Sequence, residues 1–308
     1  MGPDAQAGEG AVFKSGFVTL VGRPNAGKST LFNAVLGKKL AIVSGTPQTT
    51  RHRFRAIVNA PGYQLVLVDT PGIHKPHDAL GEELNRSACK AVESVDALCF
   101  VLDATRAFGS GDQWILDATA RSKAPRMLVL SKCECAGDAE QEAQVAAACA
   151  ANRFDAVVAL SAHTGAGIGR FVETAVSFLP EGPCWFPPDV SCDQPLEVIV
   201  AEFIREKVLA STFDEVPHAV GVQVEELSFD RRKGHCSVRA TVFVERESQK
   251  GILIGHRGER IKQVGTQARL DLARFLAASV YLDLRVKLRR HWRRDASQIR
   301  RFGYGEGA

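Results

Sequence analysis

The feature that most constrains this chain is a short glycine-containing segment that follows an apolar run. Residues 17–21 read FVTLV, and residues 22–30 read GRPNAGKST. This segment fits the pattern G-x-x-x-x-G-K-[ST], and it lies where that pattern functions, between a predicted strand and a predicted helix. Its glycines let backbone N–H groups point into a concave cradle for phosphate oxygens, in front of a helix N-terminus. The segment therefore predicts a binding site for nucleotide phosphates.

The side chains of this phosphate loop have separate expected roles. Lys28 reaches the β- and γ-phosphates, and the Ser29 hydroxyl binds Mg²⁺. A glycine-rich turn could match the pattern by chance in roughly one chain of this length in a hundred, given average glycine usage of about 7%. The loop residues expected to contact the nucleotide are Gly22, Asn25, Ala26, Gly27, Lys28, Ser29 and Thr30.

Strand-like and helix-like segments alternate from residue 12 to about 180. This alternation predicts an α/β domain with helices on both faces of a mixed, mostly parallel six-stranded sheet. A short turn signal at 59–62 favours a hairpin, so one strand should be antiparallel. The predicted strands span 17–21, 53–59, 64–69, 97–103, 127–131 and 156–161. The predicted helices span 28–36, 78–94, 111–121, 138–151 and 168–178.

A second phosphate-site signal is the segment VDTPG at 68–72. Asp69 ends an apolar strand, where it can supply an outer-shell carboxylate to Mg²⁺, and the Gly72 N–H can turn toward a γ-phosphate. The pattern D-x-x-G also occurs in ordinary β-turns. Its position after the phosphate loop supports the nucleotide interpretation.

The segment GTPQTTRHR at 45–53 is polar and lies between these two signals. A hydroxyl here can bind the metal only while the γ-phosphate is present, and hydrolysis then releases the segment. We assign that role to Thr50, with Thr49 as the next candidate, whereas either threonine could instead cap a local turn. Residues 44–53 and 72–90 should therefore order with the γ-phosphate. The predicted metal ligands are Ser29, Thr50 and Asp69, and the predicted catalytic residues are Lys28, Thr50 and Gly72.

Residues 180–195 contain five prolines and no periodicity, which is typical of a linker. We therefore predict a flexible start at 1–11, a first domain at 12–180, a linker at 181–195 and a second, smaller domain at 196–308. The second domain is predicted to be α+β. Its predicted helices span 197–209 and 259–277, and its predicted strands span 219–227, 236–245 and 281–288.

Charge is unevenly distributed along the 308 residues. Residues 251–308 carry 13 Lys and Arg against five Asp and Glu, a net charge of +8. Because the whole chain is +4, the first 250 residues must be −4. A basic end on an acidic body indicates a polyanionic partner.

Cysteine usage and hydropathy favour a cytoplasmic protein. The eight cysteines show no repeated metal-ligand spacing, and the pair Cys133 and Cys135 has no second pair to complete a zinc site. No apolar run approaches the roughly 18 residues of a membrane span. Residues 1–10 lack the pattern of a secretion signal, so we expect free thiols.

The order of these motifs resembles that of the Era family of GTPases. The resemblance rests on GRPNAGKST, PQTTRHR, VDTPG, Lys132 and SAHTG in the first part, and PQTTRHR is especially similar to Era. In the second part, IREKV at 204–208 and VERESQKGILIGHRGERIKQVG at 244–265 resemble the KH RNA-binding segment of that family. The resemblance covers about residues 12–304. It implies a P-loop GTPase domain followed by a type II KH domain, with GTP or GDP and Mg²⁺ as ligands.

The resemblance also implies a base-reading site with one departure from the family. The family motif is Asn-Lys-x-Asp, whereas residues 131–134 read SKCE. Glu134 keeps the carboxylate with about 1.5 Å of extra reach, and Ser131 is expected to lose a bond to the phosphate loop. We expect guanine specificity with weakened selection; an RNA-binding module without productive nucleotide use is the alternative. The implied base-site residues are Ser131, Lys132, Glu134, Ser161 and Ala162, with the Ala162 amide on the base oxygen.

Ile73 follows Gly72, where signalling GTPases have a glutamine that orients water. An aliphatic side chain cannot polarise water, so we expect slow hydrolysis. In related proteins an asparagine at the position of Asn25 helps to hold K⁺, which implies the same role here. An asparagine is also tolerated at a turn, and that interpretation stays open.

The pattern G-x-x-G at 255–258 lies in the basic region, between helical segments. In KH modules such a loop clamps the backbone of about four nucleotides, whereas the alternative is a helix-turn-helix corner with a solvated charged surface. Arginines mixed with aromatic residues near the end suit single-stranded nucleic acid, and a solvated basic face is the alternative there. The predicted RNA-binding residues are Gly255, His256, Arg257, Gly258, Lys262, Arg289, Arg290 and Trp292.

Together these features predict a GTP-hydrolysing switch that binds RNA. The resemblance to Era implies binding near the 3′ end of 16S rRNA, action on the 30S ribosomal subunit during its assembly, and a monomer. The alternative is a growth-regulating GTPase at the inner face of the cell membrane, whose basic end meets anionic lipid.

Overall fold

A computed structural model describes residues 12–46, 49–73, 76, 78–93, 95–230 and 232–304. The predicted flexible start at 1–11 lies outside these residues. Pro47 and Gln48 of the predicted switch segment, and residues 74, 75 and 77 of the second one, also lie outside them.

In the first domain, strands and helices alternate as predicted. The strands are β1 (Lys14–Val21), β2 (Phe54–Ala60), β3 (Tyr63–Asp69), β4 (Ala97–Asp103), β5 (Arg126–Ser131) and β6 (Ala156–Ala159). The helices are α1 (Lys28–Leu36), α2 (Ala79–Glu93), α3 (Ser110–Ala118), α4 (Asp138–Ala151) and α5 (Ile168–Ser177). The strands form one sheet in the order β2-β3-β1-β4-β5-β6. As the hairpin signal indicated, β2 is antiparallel to β3, and the other pairs are parallel.

The alternation of side chains along β4 shows how this sheet is buried on both faces. Cys99 and Val101 pack into a core with residues of α1 and α5, whereas Leu98 and Phe100 pack into a second core with α2, α3 and α4. Successive residues of a strand point to opposite faces, so a strand between two helix layers is apolar throughout. The phosphate loop follows β1 at the centre of this sheet.

The second domain begins with α6 (Leu196–Ser211) and contains a three-stranded sheet. The other elements are α7 (Val216–Ala219), β7 (Gly221–Asp230), β8 (His235–Val244), α8 (Glu247–Ile254), α9 (Glu259–Leu276), β9 (Ser279–Leu288) and α10 (Ala296–Arg301). In the sheet β7-β8-β9, β7 and β8 are antiparallel, and β8 and β9 are parallel. Helices α6 and α9 pack against each other and contact β7 and β9, respectively. This is the α+β arrangement that the sequence predicted.

The proline-rich segment 181–195 is hydrogen-bonded to the first domain. The Ile57 N–H of β2 donates to the Ser191 carbonyl at 3.0 Å. The buried amide of Gln64 accepts from the Trp185 N–H at 2.7 Å and donates to the Phe186 carbonyl at 2.8 Å. The segment therefore covers the edge strand β2, whose backbone groups would otherwise be unpaired.

An aromatic cluster closes the C-terminal part of the described chain. Trp292, Phe302 and Tyr304 are buried together with Leu80 and Leu84 of α2. The short helix α10, which the sequence did not predict, brings Phe302 and Tyr304 into this cluster. Its N-terminus is capped by Asp295, whose carboxylate accepts from the Ser297 N–H at 2.8 Å. Through this cluster the second domain packs on α2 of the first.

None of the helices formed by the described residues is both long enough and apolar enough to cross a membrane.

Candidate functional site

The phosphate loop spans Gly22 to Lys28, between β1 and α1. Gly27 has a φ of 95°, a left-handed conformation that favours glycine. Lys28 is 5% exposed, and its Nζ donates to the Gly22 and Arg23 carbonyls at 2.9 Å each. Burial lowers the pKa of Lys28 to about 8, although the Asp69 carboxylate raises it. A bound phosphate would favour the charged form of this amine.

The three predicted metal ligands lie together. Ser29 Oγ donates to Asp69 Oδ2 at 2.6 Å and lies 2.8 Å from Thr50 Oγ1. Asp69 is fully buried, and its Oδ1 has no hydrogen-bond partner among the described residues. Burial raises the pKa of Asp69 to about 6, against the Ser29 hydrogen bond and the Lys28 charge. Hydroxyl and carboxylate oxygens are donors that suit Mg²⁺, and a cation would stabilise the buried charge.

Thr49 and Thr50 have different environments. Thr49 is 8% exposed, and its hydroxyl donates to the Thr46 carbonyl at 2.5 Å. Thr50 instead presents its hydroxyl to Ser29. Between the two candidates that the sequence offered, the geometry therefore favours Thr50 for the metal and leaves Thr49 as part of a local turn.

Gly72 lies against the phosphate loop, where a Cβ atom would be only 3.1 Å from the Pro24 backbone nitrogen. A side chain at this position would need Pro24 to shift by a few tenths of an ångström, so glycine favours the close approach. Ile73 is 2% exposed and packs in the core that contains α2 and α3. Its side chain has no polar atom with which to orient water.

The expected loss of a bond at Ser131 is wrong. Ser131 Oγ lies 2.6 Å from the Ala26 carbonyl of the phosphate loop and 3.0 Å from the Leu102 carbonyl, so its single hydroxyl proton can be donated to the loop. The shorter side chain is sufficient because β5 ends directly beside the loop. Ser131 is also 2% exposed, which makes this bond a buried one.

Lys132 connects the base-reading corner to the phosphate loop. Its Nζ donates to the Asn25 carbonyl at 2.8 Å and to Asp103 Oδ2 at 2.6 Å. Burial raises the pKa of Asp103, but hydrogen bonds from Lys132 and Thr105 outweigh it and hold that pKa below its usual value. Sequence reasoning missed Asp103, although the available signal was an Asp at the end of an apolar strand, as at Asp69.

The remaining base-site residues lie on two neighbouring loops. Glu134 is exposed on a short 3-10 turn at Cys133–Cys135, which follows β5. Ser161 is buried, and its hydroxyl accepts from the Thr164 N–H at 3.1 Å, while Ala162 is half-buried beside it. The Cys133 N–H donates to the Leu160 carbonyl at 3.3 Å and joins the two loops.

A cavity of about 380 Å³ lies over the phosphate loop and is lined by residues of that loop, of the segment around Thr50 and by Lys132, but not by Glu134, Ser161 or Ala162. It also contains Arg106, which the sequence did not suggest. Asn25 has a left-handed backbone and donates its amide to the Gly45 carbonyl at 2.7 Å, which leaves its side-chain oxygen for another partner. The predicted residues that line the cavity are Asn25, Gly27, Lys28, Ser29, Thr30, Thr50, Gly72 and Lys132.

The G-x-x-G loop joins α8 to α9 in the second domain. Gly255 has a φ of 73°, and Arg257, with a φ of 49°, is also left-handed. His256 and Arg257 are exposed at the tip of the loop. Beside it, a groove of about 280 Å³ is lined by Lys262, Thr266 and Arg269 of α9 and by Leu282 and Leu284 of β9. Exposed cations next to a groove with both basic and apolar side chains fit a nucleic-acid backbone and its bases.

Trp292 is a correction to the predicted RNA surface. Its side chain is 0% exposed, and its indole N–H donates to the Ala219 carbonyl at 2.9 Å. A ring that is enclosed by Phe302 and Tyr304 has no free face for a base. Arg290 is exposed, whereas Arg289 is half-buried and lies over the Phe243 ring at 5.5 Å from its centroid.

The fold and the cavity define a class of protein, a P-loop GTPase with a KH domain. A family model described as 50S ribosome-binding GTPase matches residues 17–132, and a model described as KH domain matches residues 215–293. The two matched ranges contain the phosphate loop and the G-x-x-G loop, respectively.

Known proteins identify the family. The chain is 40% identical over 292 residues to GTPase Era of Alkaliphilus oremlandii (strain OhILAs), covering 95% of this chain and 99% of that protein. It is 41% identical over 292 residues to GTPase Era of Geobacter metallireducens, covering 95% and 98%. A solved structure of Era with MgGDPNP and nucleotides 1506–1542 of 16S ribosomal RNA has 35% identity and a TM-score of 0.91, covering 95% and 99%. The chain belongs to the Era family of GTPases.

Proposed function

We propose that this protein is a GTP-hydrolysing switch that binds 16S rRNA near its 3′ end during assembly of the small ribosomal subunit. The observation that carries the proposal is the presence, in one chain, of a cavity lined by Lys28, Ser29 and Thr50, with Asp69 behind Ser29, and of an exposed G-x-x-G loop beside a basic groove. The relative solved with nucleotides 1506–1542 of 16S rRNA supports this choice of RNA. We propose a cytoplasmic monomer that acts on the 30S subunit.

In the proposed reaction, water attacks the γ-phosphorus, and the bond to the bridging oxygen of the β-phosphate breaks to give GDP and phosphate. Lys28 offsets charge on the β- and γ-phosphate oxygens, and the Gly72 N–H donates to the γ-phosphate. Mg²⁺ held by Ser29, Thr50 and Asp69 would supply further positive charge. Because Ile73 cannot orient water, the chain's own residues give slow hydrolysis. Asn25, through its free oxygen, is our candidate to hold K⁺ as an added charge.

On the RNA side, we propose that Gly255 and Gly258 allow the sugar-phosphate backbone to approach the loop closely, while His256 and Arg257 contact phosphates. Lys262 and Arg290 are exposed near the same surface and would add to the electrostatic attraction. We assign Arg289 a smaller role, because its guanidinium already lies on Phe243.

The basic surface favours RNA over lipid. Arg285 and Lys287 lie on strand β9 and are paired with Asp283 and Glu225 at 3.0 and 3.1 Å, respectively. They do not form the cationic side of a long helix with an apolar face, which is what binding to a membrane surface needs. We therefore propose RNA as the polyanion.

The test is the substitution Arg257→Glu, with Lys233→Glu as a matched control. Lys233 is an exposed lysine in the β7–β8 turn, away from the loop. We expect Arg257→Glu to weaken binding to an RNA of the 16S 3′ end, measured by filter binding, while GTP hydrolysis and the control keep wild-type values. Normal RNA binding by Arg257→Glu would contradict the assignment of the loop.

A further inference from the structure

The residues on both sides of Thr50 are held by the second domain. The Arg205 guanidinium of α6 donates to the Thr49 carbonyl. Arg51 donates to the Val220 carbonyl at 2.5 Å and the His218 carbonyl at 3.0 Å. The segment that carries Thr50 to Ser29 and Asp69 is therefore fixed from the second domain and not by the first domain alone.

Arg205 is held in a rigid geometry. Its side chain is 0% exposed, and Glu202, one turn earlier in α6, accepts from its Nε at 2.7 Å and from its Nη2 at 2.6 Å. Burial raises the pKa of Glu202, but the Arg205 charge outweighs it and holds that pKa below its usual value. A two-point pair between planar groups fixes the direction of the remaining donors. The bond to the Thr49 carbonyl thus has a defined direction.

This bond acts directly on the position of Thr50. The peptide unit is planar, so fixing the Thr49 carbonyl also fixes the N–H and the Cα of Thr50. The Thr49 hydroxyl is already bonded to the Thr46 carbonyl and does not compete. His52 lies on the other side, with its Nε2 3.6 Å from Glu202. Burial lowers the pKa of His52 to about 4, although Glu202 raises it, so the ring is neutral at pH 7.

We propose that Arg205, a residue of α6 in the second domain, is a positioning residue for GTP hydrolysis that places the Thr50 hydroxyl at Ser29 and Asp69. The inference rests on the proposed function and deepens it, because it makes the RNA-binding domain part of the hydrolytic site. A movement of the KH domain that breaks the Arg205 bond would release Thr50. RNA that binds to that domain and moves it would therefore change the rate of GTP hydrolysis.

The test uses the full chain and begins with Arg205→Lys. Lysine keeps the positive charge but has no planar guanidinium, so it cannot donate to both Glu202 oxygens and to the Thr49 carbonyl at the same time. We expect single-turnover GTP hydrolysis to fall about 10- to 100-fold, since a misplacement of about 1 Å can have an effect of that size. GDP affinity should be unchanged, because the Thr50 position matters only with a γ-phosphate. Arg239→Met is the matched control, an arginine paired with Glu226 on the exposed face of the KH sheet.

A double-mutant cycle separates positioning from a general structural effect. In a Thr50→Ala background, Arg205→Lys should cause no further loss of rate, because both changes remove the same hydroxyl from the site. An equal loss in both backgrounds would overturn the proposal. If Arg205→Lys does not fold, the paired change Glu202→Gln with Arg205→Met removes both buried charges and avoids leaving one unpaired.

A readout independent of hydrolysis is limited trypsin cleavage after Arg51, which is 4% exposed in the intact protein. Cleavage should be faster in Arg205→Lys and unchanged in Arg239→Met. Unchanged cleavage and unchanged hydrolysis in a folded Arg205 variant would contradict the proposal. These outcomes do not depend on the RNA assay. If the wild-type protein failed to bind RNA, the proposed function would be refuted, but the double-mutant cycle would still show whether Arg205 positions Thr50.

Discussion

The nucleotide cavity and the RNA groove are built in opposite ways. At the nucleotide site, Lys28, Asp69 and Ser131 are buried, and Lys28 and Ser131 bond to carbonyls of the phosphate loop. In the groove, His256 and Arg257 are exposed on a left-handed loop. The first site is held together by buried hydrogen bonds within the chain, whereas the second relies on exposed charge. Single changes should therefore have large effects in the cavity and smaller, salt-dependent effects in the groove.

The largest effect should come from Lys28→Ala. Lys28 is expected to bond two phosphates, and bonds to charged groups contribute about 1.5–3 kcal/mol each. We expect GTP affinity to fall more than about 100-fold, measured by titration with a fluorescent GTP analogue. Lys123→Ala, an exposed lysine between α3 and β5, is the control. If the GTP affinity of Lys28→Ala fell less than tenfold, the assignment of Lys28 to the β- and γ-phosphates would be refuted.

The second prediction concerns the buried Asp69 carboxyl. Its pKa in the folded chain is about 6 instead of 3.8, so the contribution of Asp69 to the free energy of unfolding should fall as pH rises from about 4 to 6, by about 3 kcal/mol at 1.36 kcal/mol per pKa unit. Asp69→Asn cannot ionise and should lack this loss. Because His52, with a pKa of about 4, titrates in the same range in both proteins, the quantity to measure by urea unfolding without nucleotide or metal is the difference in stability between wild type and variant. This difference should change by about 3 kcal/mol between pH 4 and pH 6; a difference that is independent of pH would contradict the prediction.

The third prediction tests whether Trp292 packs in the protein core or stacks on an RNA base. Trp292→Phe removes the indole bond to the Ala219 carbonyl and leaves a small cavity, so we expect a loss of about 2 kcal/mol in the free energy of unfolding. RNA affinity of the folded variant should match wild type, because the ring is enclosed. A specific loss of RNA affinity at unchanged stability would restore the stacking interpretation.

The smallest effect is expected at the base-reading corner. Glu134→Asp removes about 1.5 Å of reach and restores the family's carboxylate, so selectivity for GTP over XTP should rise severalfold. Competition binding with the two nucleotides measures it, and Glu142→Asp on the exposed face of α4 is the control. Lower selectivity in Glu134→Asp would show that the loop has adapted to the longer side chain.

Local patterns predicted much of the fold and the phosphate site. The phosphate loop, Asp69 and Gly72 lie next to strands whose apolar runs give a clear signal, and β4 was predicted with its observed bounds at 97–103. The helices α7 and α10 were missed because four and six residues are too few to show a helical period. The covering of β2 by residues 181–195 was also missed, since proline content indicates a connection but not what it packs against.

Contacts between distant segments could not be predicted. Ser131 keeps its bond to Ala26 because β5 ends beside the phosphate loop, a proximity that side-chain length alone does not reveal. Arg205 and Thr49 are 156 residues apart, so no periodicity links them. Trp292 was assigned to RNA from its basic neighbours, whereas Phe302 and Tyr304, beyond it in sequence, enclose it.

The central claim is that the γ-phosphate and the RNA groove communicate through the segment around Thr50. The most direct measurement is the affinity of the full chain for the 16S 3′-end RNA with GDPNP and with GDP at one salt concentration. We predict different RNA affinities in the wild type and equal affinities in Thr50→Ala, with the reciprocal change in nucleotide affinity when RNA is bound. Equal RNA affinities in the wild type would contradict it.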